Sequence, residues 1–318
     1  MTYQKNCFSY PSADGCSMIA AKLYLPEGDC RAVVQLSHGM CEYVDRYQPF
    51  AQFLCQQGIA LCGNDHLGHR DTAALGSALK GYFGPPGSWK YLPADLLRLS
   101  GIIRRELPGR PVYLFGHSMG SFVARLALED SRCWEGVILS GTGGSNLLAG
   151  PGRAVARAIC RVKGDTYLSP FLHNLTVGKN NRGIPEPHTA VEWLSRDPQV
   201  AAAYLKDPGC AFTFTAAANY DLVTLSQRAN RPGWFSSVPK DLPILLISGD
   251  KDPVGGFGAG VRQVYRRLQR AGVRQVEMKL YPGARHELLN ETNREEVYQD
   301  ILSWLEERIQ QNGSAIPL

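Results

Sequence analysis

One short stretch decides most of what this chain can become. Val112-Tyr113-Leu114-Phe115 is an apolar run of strand formers, it leads into Gly116-His117-Ser118-Met119-Gly120, and residues 122–129 then carry apolar side chains at helical spacing. Strand, sharp turn and helix is the setting in which a serine at the apex stands clear of a sheet with its hydroxyl exposed. The apex must take a strained backbone conformation. Gly116 and Gly120 remove the Cβ atoms that would strike the neighbouring strand and helix. A glycine-rich turn with a helix-capping serine would look similar over these five residues alone. The rest of the chain separates the two readings.

Apolar strand-like runs recur at 31–37, 59–65, 136–140, 242–248 and 275–281, with helical patterns between or after them at 46–58, 91–107, 260–271 and 295–310. This alternation predicts an α/β fold with a mostly parallel central sheet flanked by helices. Residues 5–25, broken by the turn Ser12-Ala13-Asp14-Gly15, read as two antiparallel strands at a sheet edge. The loops after parallel strands all open at one edge, and three of them carry chemistry. Ser118, Asp252 and His286 each follow a core strand, in an order that suits nucleophile, acid and base. His286 would take the Ser118 proton, and Asp252 would hold the imidazole tautomer. Asp250 is a rival acid; Asp252 is preferred because it lies deeper in the loop, and Asp250 reads as a brace for the turn. Attack on a carbonyl also needs fixed donors for the growing negative charge. His38-Gly39-Met40 follows the strand at 31–37, so the backbone N–H groups of Met40 and Met119 are assigned to that oxyanion hole. His38-Gly39 also fits a plain strand-ending turn. Asp65, His66 and His69 have metal-binding side chains, but no further ligand pattern accompanies them. They read as loop-structuring groups, and no metal or cofactor is expected.

Between 141 and 238 the strand–helix rhythm stops and helical pieces such as 189–194 and 217–225 take over. We read core segments 1–140 and 239–318 and an inserted helical cap, 141–238, over the strand ends that carry Ser118. Substrate-binding residues are not identified beyond this cap. Within it, Arg153, Arg157 and Arg161 recur every fourth residue, with Val155, Ala158, Ile159 and Val162 offset from them. Such a basic amphipathic helix can rest on an anionic membrane, or be a solvated helix whose apolar side packs on the core. The second reading is favoured.

With 318 residues, a hydrophobic share of 44% and a net charge of +5, the chain is ordinary in composition, and nothing points to nucleic acid. Nine cysteines lack any Cys-x-x-Cys spacing, which reads as reduced thiols in a cytoplasmic protein. Residues 1–7 carry no apolar leader region, and no apolar run approaches the roughly 18 residues of a membrane span.

Four segments together resemble a known family: Ser-His-Gly-Met-Cys-Glu-Tyr-Val-Asp-Arg-Tyr at 37–47, Gly-His-Ser-Met-Gly-Ser at 116–121, Ser-Gly-Asp-Lys-Asp-Pro-Val at 248–254 and Gly-Ala-Arg-His-Glu-Leu-Leu-Asn-Glu at 283–291. They are similar to the monoacylglycerol lipase, lysophospholipase and serine-aminopeptidase-like branch of the α/β-hydrolases. The resemblance covers roughly 1–140 and 240–318 and departs from the family pattern at Tyr43, Arg70 and Ser121. It implies an α/β-hydrolase fold, the triad Ser118, Asp252 and His286, oxyanion donors at Met40 and Met119, and a lid over an acyl pocket. The expected activity is hydrolysis of carboxylic esters (monoacylglycerols, lysophospholipids or short acyl esters) through an acyl-enzyme on Ser118. A peptidase releasing N-terminal residues is the rival enzyme; it would need an acidic anchor for the substrate amine, and the cap is basic. A catalytically silent ligand-binding scaffold is the rival outside enzymes, but decay usually removes a triad member and all three are present. The oligomeric state is left open.

Overall fold

A computed structural model describes residues 3–76, 78–129 and 133–313, with residues 312 and 313 described by backbone alone. The outermost residues of the core segments, 1–2 and 314–318, lie outside the described residues. So do Ser77 and the three residues 130–132.

Among the described residues the strands are β1 (Tyr3–Pro11), β2 (Met18–Pro26), β3 (Ala32–Ser37), β4 (Ile59–Asn64), β5 (Val112–His117), β6 (Gly136–Ser140), β7 (Ile244–Gly249) and β8 (Val276–Tyr281). They form one sheet in the order β1-β2-β4-β3-β5-β6-β7-β8. β2 pairs antiparallel with β1 and β4, and every other pairing is parallel. The expected hairpin at the sheet edge is therefore β1 and β2, closed by the Ser12 N–H on the Ser17 carbonyl at 2.8 Å. The mostly parallel sheet with helices on its faces is the α/β architecture that the alternation of runs predicts.

The parallel strands read as continuous apolar runs because both faces are covered. Val33, Leu114, Leu139 and Leu246 point to one face, where they join Leu96, Leu99, Val123 and Val261. Val34, Phe115, Ile138 and Ile247 point to the other and meet Phe50, Leu54, Ile301 and Leu305. Each such side chain removed from water contributes roughly 1.5–3 kcal/mol. The one polar residue that β3 buries in mid-strand, Gln35, is fully partnered. Its amide donates to the Leu96 carbonyl at 2.7 Å, and its oxygen accepts from Ser100 Oγ at 2.6 Å and Trp134 Nε1 at 2.9 Å.

The helices before β6 are α1 (Gln48–Gln56), α2 (Arg70–Leu75), α3 (Tyr91–Glu106) and α4 (Met119–Ala127). Between β6 and β7 stand α5 (Ala149–Lys163), α6 (Pro170–Thr176), α7 (Pro198–Lys206), α8 (Ala216–Ala229) and α9 (Pro232–Ser237), and α10 (Ala259–Arg270) and α11 (Arg294–Gly313) follow. Two local expectations change. Residues 189–194 form only a single tight turn at Glu192–Leu194, because the Glu192 carboxylate takes the N–H groups of His188 and Thr189 at 2.7 and 2.9 Å. On α5 the buried stripe is Ala156 and Cys160, which pack with Ala216 and Ala217, while Val155, Ala158 and Val162 face outward.

The helices between β6 and β7 do not all sit apart from the rest of the chain. α8 packs on α4. Trp234 of α9 is fully buried, donates its indole N–H to the Arg125 carbonyl and carries the Arg125 guanidinium 4.2 Å over its ring. Arg125 in turn donates to the Gly143 carbonyl at 3.3 Å and to Asn230 Oδ1 at 3.2 Å. The helix behind Ser118 and the base of the insert are thus one packed unit.

Candidate active site

Ser118 sits between β5 and α4 at φ 53° and ψ −120°, a region that non-glycine residues rarely enter. The turn survives because its surroundings leave no alternative. A Cβ on Gly120 would collide with the Ser37 and His38 carbonyl oxygens, and one on Gly116 would lie 2.8 Å from both Ala124 Cβ and the Gly120 oxygen. α4 therefore starts almost in contact with the end of β3. Ser118 N–H donates to the Ser140 carbonyl at 2.9 Å, which ties the apex to β6.

The structure brings Ser118, His286 and Asp252 together. Ser118 Oγ lies 2.8 Å from His286 Nε2. His286 Nδ1 lies 3.0 Å from Asp252 Oδ1, at ion-pair distance but off the line of a well-aligned hydrogen bond. Asp252 is fully buried, and its carboxylate also accepts from Val254 N–H at 2.8 Å and Ser248 Oγ at 3.2 Å. Burial alone would lower the His286 value; the Asp252 carboxylate outweighs it, and Glu287 and Glu42 add to the rise, so His286 titrates above the ordinary histidine range. The rival acid, Asp250, accepts from Gly283 N–H at 2.7 Å and braces the turn after β8.

Met119 opens α4, so its N–H has no partner inside the helix. Gly39, next to Met40, runs so close to the apex that a Cβ there would lie 3.1 Å from Ser118 Cβ. The loop that carries Met40 thus comes close to Ser118, and Met119 follows Ser118 directly in the chain. Asp65, His66 and His69 go elsewhere. Asp65 lies 3.4 Å from Lys22 Nζ and accepts from Val44 N–H at 2.9 Å. His38, His66 and His69 pack as a buried cluster of tilted and edge-on rings, with centroids 4.4 and 5.0 Å from His38. Burial, and then the nearby His69, pushes His66 down to about 3, and burial pushes His69 down to about 4 against its hydrogen bonds to Leu67 and His66, so these rings are neutral props. His69 Nε2 accepts from Cys41 N–H at 3.2 Å and so fastens the loop that carries Met40. No cluster able to hold a metal ion occurs among the described residues.

Two neighbours of His286 were not singled out from the sequence. Trp193 lies against the His286 ring at 5.0 Å between centroids, and its carbonyl accepts from His286 N–H at 3.3 Å. His117 lies 4.7 Å away on another side, and burial followed by the nearby His286 pushes it down to about 3. Trp193 left no trace in the sequence pattern because its turn is irregular; His117 lay in the motif but carried no periodic signal.

Comparison with known proteins then decides the family. The family profile described as serine aminopeptidase, S33, matches residues 28–293. The chain belongs to the S33 family. A highly thermostable carboxyl esterase from Bacillus coagulans superposes on this S33 chain with a TM-score of 0.90 at 31% identity, over 97% of this chain and 99% of that one. A monoacylglycerol lipase of Mycolicibacterium smegmatis is 29% identical over 293 residues, covering 90% of this chain and 92% of its own. The Homo sapiens monoglyceride lipase is 26% identical over 313 residues, covering 96% and 92%. This S33 member is an α/β-hydrolase of the monoacylglycerol lipase branch, and it is a serine hydrolase of carboxylic esters.

Proposed function

We propose that this enzyme hydrolyses monoacylglycerols and similar single-chain acyl esters, with Ser118 as nucleophile, His286 as base, Asp252 as its acid partner and the Met40 and Met119 N–H groups as the oxyanion hole. The observation that carries the reading is the 2.8 Å contact between Ser118 Oγ and His286 Nε2 at a strained turn. Ser118 Oγ attacks the acyl carbon and its proton passes to His286 Nε2. Charge on the former carbonyl oxygen is met by two N–H groups that need not reorganise. The tetrahedral species collapses, His286 returns the proton to the departing glycerol oxygen, and an acyl-enzyme remains. Water, deprotonated by His286, then releases the fatty acid.

Residues 141–238 act as the cap in this reading. Their outer surface supports a lipid substrate. Leu147 is 96% exposed, Val162 78%, Leu148 73% and Phe171 60%, and Arg153, Arg161 and Lys163 lie exposed among them. Exposed apolar side chains and exposed cations on the same stretch of chain suit the surface of an anionic bilayer. Among the described residues no helix is long and apolar enough to cross one, so contact would be peripheral. Nine free cysteines support a reducing compartment, the cytoplasm.

The test is a substrate screen of the purified enzyme over monoacylglycerols and p-nitrophenyl esters of graded chain length, with an aminoacyl anilide alongside. Turnover of the esters with little on the anilide is the expected result. Preferential cleavage of the anilide would replace this reading with the peptidase.

A further inference from the structure

Glu42, Arg46 and Glu287 form a buried bridge between two loops that the chemistry needs. Glu42 follows the Met40 segment, and its Oε1 accepts the Gly39 N–H and the Tyr47 hydroxyl, the latter at 2.9 Å. Its Oε2 lies 3.0 Å from Arg46 Nη1. Arg46 then forks onto Glu287, Nη1 to Oε1 at 2.7 Å and Nη2 to Oε2 at 2.8 Å. Glu287 is the residue after His286, and its second oxygen also accepts from Asn290 Nδ2 at 2.8 Å. The Tyr204 ring of α7 covers the Arg46 guanidinium at 5.0 Å. Glu42 is 3% and Glu287 5% exposed, and the Arg46 side chain keeps 12%, so the bridge is largely shielded from water.

Burying three charged groups is a poor way to gain stability, since desolvation offsets most of the attraction. A planar fork does, however, hold two backbone segments at a set distance and angle. Here one end grips the oxyanion loop at Gly39 and the other grips the residue beside the base. Burial would raise the Glu287 carboxyl, but the Arg46 guanidinium holds it down at about 2. Burial pushes Glu42 up to about 7, with Arg46 opposing and Glu287 adding to the rise. Glu287 is therefore the lasting anion.

We propose that Glu42, Arg46 and Glu287 are positioning residues that lock the oxyanion loop to the loop of the base, and that the Glu287 charge also helps the imidazole accept the serine proton. The proposal rests on the assignment of Ser118, His286 and Met40 above. The charged and titratable groups that act on His286 are Asp252 from the loop after β7, His117 from β5, Glu42 and Glu287, and Arg46 is paired with the last two.

The test compares Glu287→Gln and Arg46→Lys with the wild type in ester hydrolysis. Rates are normalised to active sites titrated with a fluorophosphonate, and thermal unfolding is recorded in parallel. Glu287→Gln is expected to lower kcat about tenfold or more with KM nearly unchanged. It is also expected to move the acid limb of kcat/KM to lower pH, because an anion that favours the imidazolium is gone. Arg46→Lys keeps the cation but loses the fork, so kcat falls while the acid limb stays in place. Variants that unfold earlier yet keep kcat per titrated site and the acid limb would overturn the proposal, since a merely structural bridge does only that. If Glu287→Gln does not fold, the kcat of Arg46→Lys decides alone. A wild type that neither turns over esters nor binds the probe would overturn the functional reading, and this inference with it. A wild type that does both, beside unaffected variants, overturns this inference only.

Discussion

In the mechanism proposed above, Ser118 meets an acyl carbon from a backbone held where a serine does not relax, and His286 takes its proton while the ring is neutral. That gives a signed pH prediction. The Asp252 carboxylate lifts His286 above the ordinary histidine range against the effect of burial. Hydrolysis is therefore full at alkaline pH and falls as pH drops through the raised value, which a kcat/KM profile reads directly. Asp252→Asn leaves the shape of the loop but not the charge, and should lower kcat by about 10⁴-fold; an active Asp252→Asn with an inactive Asp250→Asn would exchange their roles. The residues that end strands were legible in the sequence because an apolar run announces the strand and the polar residue after it announces the rim. Trp193 and the Arg46–Glu287 contact were not, since partners 241 positions apart leave no local pattern.

Strands β3, β5, β6 and β7 were readable as elements because burial on both faces forces nearly every side chain to be apolar. Leu114→Ala, in the middle of β5, should cost about 2–5 kcal/mol in denaturant unfolding; a cost near zero would mean that this face is not packed as described. Gly120→Ala tests the start of α4 differently. Its methyl would collide with the Ser37 and His38 carbonyls, and relief requires moving the helix away from β3. Loss of both stability and esterase activity is expected, seen as a lower Tm and a smaller fraction of probe-reactive sites. Short elements resisted reading for the opposite reason. The turn at Glu192–Leu194 and the six residues of α2 are shaped by side chains from elsewhere, so their own composition says little.

The whole molecule joins a mostly parallel sheet to the helices between β6 and β7, which expose apolar and basic side chains. The sequence suggested that the apolar side of the arginine-bearing helix packs inward. The structure bears this out for Ile159, which packs beside Ala156 and Cys160 on the cluster they form with α8, but leaves Val155 and Val162 outside. Spacing alone could not separate these faces, because small residues can bury as readily as branched ones. If that surface meets lipid, the protein should sediment with anionic vesicles and less so with neutral ones, and salt should weaken the binding. Replacing Leu147 and Leu148 with serine should reduce sedimentation while leaving hydrolysis of a water-soluble short ester intact. Equal recovery in the supernatant for both vesicle types would remove the membrane from the account. The central claim is that one hydroxyl, that of Ser118, carries the acyl group. Reaction with a fluorophosphonate followed by peptide mass spectrometry reads it directly. The account predicts a single adduct on the peptide that contains Ser118 and none in Ser118→Ala; an adduct on another residue, or equal labelling of that variant, would contradict it.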